Sequence, residues 1–121
     1  MISQIRFVSV PVRDYDRALK FYTDKLGFKL VMDQSFNDGS RWIELQIKDS
    51  PTKFVLFTQP GQENRVGTFM YLTFVCDDLQ KTYDELKARG VEFKVPPTKA
   101  PWGTYAQLID SEDNIFVLSS S

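Results

Sequence analysis

The absence of histidine from all 121 residues limits the chemistry that this chain can perform. Catalytic pairs of the Ser-His or Cys-His type and histidine metal ligands are excluded within this polypeptide. Acid–base chemistry would fall to carboxylates, Tyr, Lys or the single Cys76. Cys76 ends an apolar run, which favours a buried small hydrophobe, and a lone cysteine without an internal disulfide favours a reducing, cytoplasmic compartment.

One carboxylate and several aromatic residues are the remaining candidates for chemistry. Glu44 is the acidic residue that can be placed on a central strand, where it is either an anchor for a ligand cation or a solvated residue on an outward face. Trp102 and Tyr105 lie in or beside the loop that follows Pro96-Pro97. Aromatic faces offer stacking and cation–π attraction, so these rings predict either a ligand box or core packing.

The overall composition excludes two classes of partner. Fifteen basic residues nearly balance sixteen acidic ones, and no basic run provides the positive surface of a nucleic-acid-binding protein. No apolar stretch approaches the roughly 20 residues that span a membrane. With 42% hydrophobic residues and ten Phe, the chain can bury a substantial core.

The first half of the chain predicts a strand, a helix and three further strands. Asp14 is a good N-cap, and Gly27 is a natural residue to end the helix, whose apolar face carries Leu19, Tyr22 and Leu26. The predicted strands are Ile5–Val12, Phe28–Gln34, Arg41–Ile47 and Lys53–Thr58. A polar linker covers about residues 60–67.

The second half repeats this order. Asp77 is predicted to cap the helix and Gly90 to end it, a spacing of thirteen residues that equals the spacing from Asp14 to Gly27. The predicted strands are Phe69–Val75, Val91–Val95, Thr104–Ile109 and Ile115–Leu118. We therefore predict an α+β fold in which two paired βαβββ modules, 1–61 and 68–121, form one domain. Their curved mixed sheet would enclose a central concave cleft, with the helices outside.

Several motifs resemble those of a known family. Val12-Arg13-Asp14, Ala18, Phe21-Tyr22 and Leu26-Gly27-Phe28 resemble the V-x-D…A-x-x-F-Y-x-x-x-L-G-F signature of the vicinal oxygen chelate superfamily. That superfamily contains glyoxalase I, extradiol dioxygenases and bleomycin-resistance proteins. The segment 110–115 is similar to the family's D-P-x-G-N turn, with Ser111 and Asp113 in place of Pro and Gly. The resemblance implies the paired βαβββ fold and a homodimer.

The family's metal-ligand positions carry unsuitable residues in this chain. By position they fall on Phe7, Leu56, Tyr71 and Val117, where metal-using relatives have mostly His and Glu. Phe, Leu and Val cannot donate a lone pair to a divalent metal, and one Tyr alone is a poor ligand. The resemblance therefore implies no metal and no cofactor at this site.

Strand alternation sorts residues by face if the four ligand positions point inward. Ser9, Phe54, Thr58, Phe69, Thr73, Ile115 and Ser119 then share the inward side. Either Trp42 with Glu44 or Ile43 with Leu45 faces inward on the third strand. The predicted ligand-binding residues are Phe7, Ser9, Trp42, Glu44, Leu56, Phe69, Tyr71, Thr73, Trp102, Tyr105 and Val117.

Three functions are compatible with this pattern. The first is a metal-free protein that binds a small aromatic or amphiphilic molecule in the cleft. The second is a glyoxalase-like lyase, isomerase or dioxygenase with a displaced metal site or metal-free acid–base catalysis, in which Glu44 and Tyr71 would be catalytic. The third is a structural or regulatory module without a ligand, whose cleft is packed solid or closed by a partner subunit.

Overall fold

A computed structural model describes residues 1–68 and 70–120. The chain divides into two compact units, Met1–Val66 and Gly67–Ser121, and each unit has its own four-stranded mixed sheet. This confirms the α+β class and the repeated order of strand, helix and three strands. The cleft shared by the two modules stays a prediction.

The first unit places a parallel pair of strands at one end of its sheet. Its elements are β1 (Phe7–Val10), α1 (Tyr15–Lys20), a π-helical turn (Phe21–Lys25), β2 (Lys29–Ser35), β3 (Arg41–Gln46) and β4 (Lys53–Leu56). The strand order is β1-β4-β3-β2, with β1 parallel to β4 and the other pairs antiparallel. A short 3-10 turn, Glu63–Arg65, precedes the second unit.

The helical segment of the first unit ends differently from the sequence prediction. Asp14 caps α1 as predicted, because its Oδ1 accepts a hydrogen bond from the Arg17 amide at 3.1 Å. The expected continuous α-helix instead widens into the π-helical turn, which places the consecutive residues Phe21 and Tyr22 both in the core. Gly27 then reverses the chain with φ of 79°, a conformation that favours glycine.

The second unit repeats the topology with different boundaries. Its elements are β5 (Met70–Cys76), α2 (Leu79–Ala88), β6 (Glu92–Ala100), β7 (Gly103–Ile109) and β8 (Ile115–Ser120). The strand order is β5-β8-β7-β6, again with one parallel pair, β5 with β8. Among the residues described, no helix combines the length and the apolar character needed to cross a membrane.

Two predictions for the second unit are wrong in detail. The N-cap of α2 is Asp78 and not Asp77, since the Asp78 Oδ1 accepts from the Lys81 amide at 3.1 Å. The segment from Pro96 to Ala100 is not a loop but continues β6 to its turn at Pro101-Trp102. Proline is tolerated there because β6 is an edge strand with irregular pairing to β7.

Candidate functional site

The first sheet has one face covered by the helical segment and one face opposite to it. Tyr22 contacts Phe54 with ring centroids 4.9 Å apart, which identifies the covered face. Phe54 and Leu56 pair with Leu45 and Ile43, so these four buried residues share the covered face. Strand alternation then defines the open face of the first sheet, and six of its residues concern the site. They are Phe7, Ser9, Trp42, Glu44, Val55 and Phe57.

Four aromatic rings form a continuous aromatic cluster on and beside this open face. Trp42 is central, with ring centroids 5.0 Å from Phe7 and 5.3 Å from Phe57. Phe36, which follows β2, extends the cluster at 6.4 Å from Phe57. Trp42 and Phe57 are half-buried, whereas Phe7 and Phe36 are about 40% exposed, at 39% and 40%. The cluster therefore combines fixed packing with accessible ring surface.

Glu44 lies on the open face beside this aromatic cluster and provides a carboxylate there. On the open face it is flanked by the apolar side chains of Met32 on β2 and Val55 on β4, its cross-strand partners. The Trp42 Nε1–H donates a long hydrogen bond of 3.5 Å to the Glu44 Oε1. Glu44 forms no ion pair with any residue in 1–68 or 70–120. It is half-buried, so it can meet a ligand from solvent.

Leu56 does not belong with the other predicted binding residues. Its partners across the sheet are Val10 and Ile43, and it is fully buried on the covered face, opposite to Phe7 and Ser9. The same reversal applies to Phe54, which contacts the helical segment. The sequence analysis missed Phe57 because it assigned Leu56 to the inward face, and the next residue, just after β4, then points to the other face. The alternation of Ile43 and Leu45 with Glu44 and Gln46 was the available signal, since apolar residues face the helix.

The second sheet also brings predicted residues together on one face. Thr73 pairs with Val117, and Tyr105 pairs with Ser119, on the face opposite to the buried pair Phe116 and Leu118. Trp102, at the turn before β7, lies against Tyr105 with ring centroids 5.5 Å apart. Trp102 is 63% exposed, which is high for so large an apolar side chain. This aromatic pair is a second candidate contact surface.

The remaining predicted residues occupy less regular positions. Tyr71 is exposed and lies at an irregularity in the pairing of β5 with β8, with a left-handed φ of 68°. Phe69 lies outside the described residues. Glu44 belongs to the first unit and Tyr71 to the second, and a catalytic role for either stays a prediction.

Cys76 is buried, as predicted from the apolar run that precedes it. Burial raises the pKa of its thiol above the usual value, and a hydrogen bond with Thr82 opposes this only in part. A thiol with a raised pKa is protonated at neutral pH, and the protonated form is a poor nucleophile. Cys76 therefore fits the role of a small core residue.

The donor atoms at the family's ligand positions do not fit a divalent metal. Phe7 and Val117 lie on the open faces of their sheets, and both side chains lack a lone pair. Val55 and Phe57, which occupy the open face where Leu56 was expected, lack one as well. Across residues 1–68 and 70–120, no three Cys, Asp or Glu side chains are grouped in a way that could hold a metal ion.

Comparison with known proteins identifies the family. A sequence model of the Glyoxalase/Bleomycin resistance protein/Dioxygenase superfamily matches residues 4–117. The chain belongs to this superfamily. YetH, an uncharacterized protein of Bacillus subtilis (strain 168), is 33% identical to it over 98% of both sequences. The resemblance seen in the V-x-D and L-G-F motifs is thereby confirmed.

Solved structures with similar sequences share this fold. TnmS3, an antibiotic binding protein from Streptomyces sp. CB03234, is 32% identical with a TM-score of 0.88, over 98% of this chain and 96% of that chain. UcmS2 is 30% identical with a TM-score of 0.88, over 100% of both chains. A superfamily member from Sphaerobacter thermophilus DSM 20745 is 26% identical with a TM-score of 0.86, over 99% of this chain and 98% of that chain.

Proposed function

We propose that this chain is a metal-free binding protein for a flat aromatic or amphiphilic small molecule. The observation that carries the proposal is the aromatic cluster of Phe7, Trp42, Phe57 and Phe36 on and beside the open face of the first sheet. Exposed rings that contact one another lose little further conformational freedom when a ligand stacks on them. TnmS3, whose fold and sequence are similar, is an antibiotic binding protein, which supports a binding function over a purely structural one.

The proposed absence of a metal follows from the donor set. A hard divalent cation needs several oxygen ligands that converge, and the open face of the first sheet offers one carboxylate, Glu44. Of the superfamily's four ligand positions, Phe7, Leu56 and Val117 cannot coordinate, and Tyr71 alone is a poor ligand. Ligand binding should therefore be unaffected by prior dialysis against a chelator.

Trp102 and Tyr105 provide a second surface for the same kind of ligand. Their rings are tilted by 33° and the Trp102 face is largely accessible to solvent. Tyr105 shares one face of the second sheet with Thr73, Val117 and Ser119. This face therefore offers both polar and apolar side chains to a ligand. We propose that this pair is a separate, secondary contact surface for such a molecule.

The test is a calorimetric titration with 1-naphthylmethanol, a flat neutral probe. The wild-type chain should bind it, and Trp42→Ala should weaken binding about tenfold because a stacking ring and its contact area are lost. Leu19→Ala is the control, since Leu19 is a half-buried apolar residue, as Trp42 is, but lies on α1 and not on the open face. Equal losses in both variants, or no binding across a wider aromatic library, would contradict the proposal and favour a structural module.

We further propose that the chain acts in the cytoplasm as a homodimer. The edge strand β2 has exposed Leu30, Val31 and Met32 and no proline, whereas the corresponding edge strand β6 contains Pro96 and Pro97. An edge strand with free main-chain groups and apolar side chains is suited to pairing with another chain. Light scattering should then give twice the 14.0 kDa mass of the chain.

A further inference from the structure

The charge of the preferred ligand can be inferred from the surroundings of Glu44. Its carboxylate lies between Met32 and Val55, two apolar cross-strand neighbours, and beside the indole of Trp42. The long Trp42 hydrogen bond occupies one oxygen weakly, and Glu44 has no ion-pair partner in the described parts of the chain. A half-buried carboxylate in such surroundings is stabilised by any cation that reaches it.

The neighbouring charges do not neutralise Glu44. Arg41, three positions earlier on β3, points to the covered face, where it is held by Asp16 and Asp33 at 2.7 Å each. Lys53 shares the open face two positions before Val55, and it forms no ion pair with Glu44 among the described residues. The carboxylate is the charged group that the indole of Trp42 contacts, at 3.5 Å.

The aromatic rings favour the same sign of ligand charge as the carboxylate does. The faces of Trp and Phe rings are electron-rich and attract cations, and Trp attracts them most strongly. A carboxylate beside such rings also repels an anionic ligand of the same shape. Both effects act on whatever group of the ligand lies next to Trp42 and Glu44.

We propose that the open face of the first sheet selects aromatic ligands that carry a protonated amine, and that Glu44 determines this specificity. The inference rests on the proposed binding function. The ligand's ring stacks on Trp42 and Phe57, and its ammonium group donates charge-assisted hydrogen bonds to the Glu44 carboxylate. Glu44 is then a recognition residue, with no covalent or proton-transfer step required.

Three probes with one ring system test this proposal by calorimetry at neutral pH. They are 1-naphthylmethylamine, which is cationic, 1-naphthylmethanol, which is neutral, and 1-naphthoate, which is anionic. The wild-type chain should bind them in that order, with about tenfold between the amine and the alcohol. Added salt should reduce the advantage of the amine, because it screens the interaction with Glu44.

The substitution Glu44→Gln keeps the shape of the side chain and removes its charge. It should abolish the preference for the amine and its salt dependence, so that the amine and the alcohol bind within about twofold of each other. Equal affinity of the three probes for the wild-type chain, or a preference for naphthoate, would overturn the inference and leave aromatic binding intact. Failure of all three probes to bind would instead overturn the proposed function itself.

Discussion

At the scale of single residues, two buried hydroxyl groups contribute very differently to stability. The Thr58 hydroxyl donates to the Val12 carbonyl and accepts from the Val12 amide, both at 2.7 Å, and so fixes the chain just before α1. The Thr58 amide in turn donates to the Tyr15 hydroxyl at 2.9 Å. The Ser111 hydroxyl is buried and, within the described part of the chain, has no hydrogen-bond partner.

These contacts predict opposite outcomes for two similar substitutions. Thr58→Val should lower the free energy of unfolding by about 1–3 kcal/mol, because it leaves two buried main-chain groups of Val12 unpaired. Ser111→Ala should leave stability unchanged or raise it by up to about 1 kcal/mol, because no bond is lost. Urea denaturation measures both values, and a loss of stability in Ser111→Ala comparable to that in Thr58→Val would contradict this account.

Individual candidate residues could be predicted only where it was known which alternate residues of a strand point to which face of the sheet. The sequence identified Phe7, Trp42 and Glu44 as candidates, and the register brings them to one face of the first sheet. It placed Leu56 on that face and missed Phe57, because an error of one position in a strand exchanges the two faces. The family motif located the strand but did not determine its register.

At the scale of elements, Arg41 joins three pieces of the first unit on the covered face. Its guanidinium on β3 bonds Asp33 on β2 through two nitrogens, at 2.8 and 2.7 Å, and Asp16 on α1 at 2.7 Å. The hydrogen bonds from Arg41 lower the pKa of Asp33 below its usual value. The edge strand β2 is thereby tied to β3 by a bidentate contact as well as by main-chain pairing.

This contact predicts a specific dependence of stability on pH. Because the pKa of Asp33 is lower in the folded chain than in the unfolded chain, its contribution is fully present above the unfolded value of about 3.9 and is lost as the pH falls through the lowered value. The difference in unfolding free energy between wild type and Asp33→Asn should be constant above about pH 5 and shrink below about pH 4.

The Arg41→Met background is the control for the pH experiment. Without the guanidinium, Asp33→Asn should change stability by an amount that no longer depends on pH. Denaturation curves are compared between neutral pH and about pH 3 for four chains. They are the wild type, Asp33→Asn, Arg41→Met and the double variant. A pH-dependent difference that persists without Arg41 would contradict the assigned cause.

The first helical segment shows how far element boundaries could be predicted. Asp14 and Gly27 were predicted correctly as its cap and its end, and they lie thirteen residues apart. In the second unit the cap is Asp78, only twelve residues before Gly90. The extra residue of the first segment is accommodated as a π-helical turn, which no periodicity in a window this short could distinguish from an α-helix.

At the scale of the whole molecule, the repeated order of elements was the most predictable property. Each unit repeats one parallel and two antiparallel strand pairings, and the repeat in the sequence was sufficient to predict the order of its elements. The extent of β6 was not predictable, because Pro96 and Pro97 ordinarily indicate a loop and are accepted here only at a sheet edge. The order of the elements could be predicted despite such local exceptions, because it depends on many residues.

The proposed binding surface, the open face of the first sheet, would hold its aromatic ligand at Trp42. The most direct measurement is the indole N–H signal of Trp42 in a ¹⁵N–¹H correlation spectrum during a titration with 1-naphthylmethylamine. The chain contains two Trp residues, so Trp102→Phe assigns the signal without ambiguity. We predict that the Trp42 signal shifts with the dissociation constant found by calorimetry. A Trp42 signal that stays in place while the ligand binds would contradict the account.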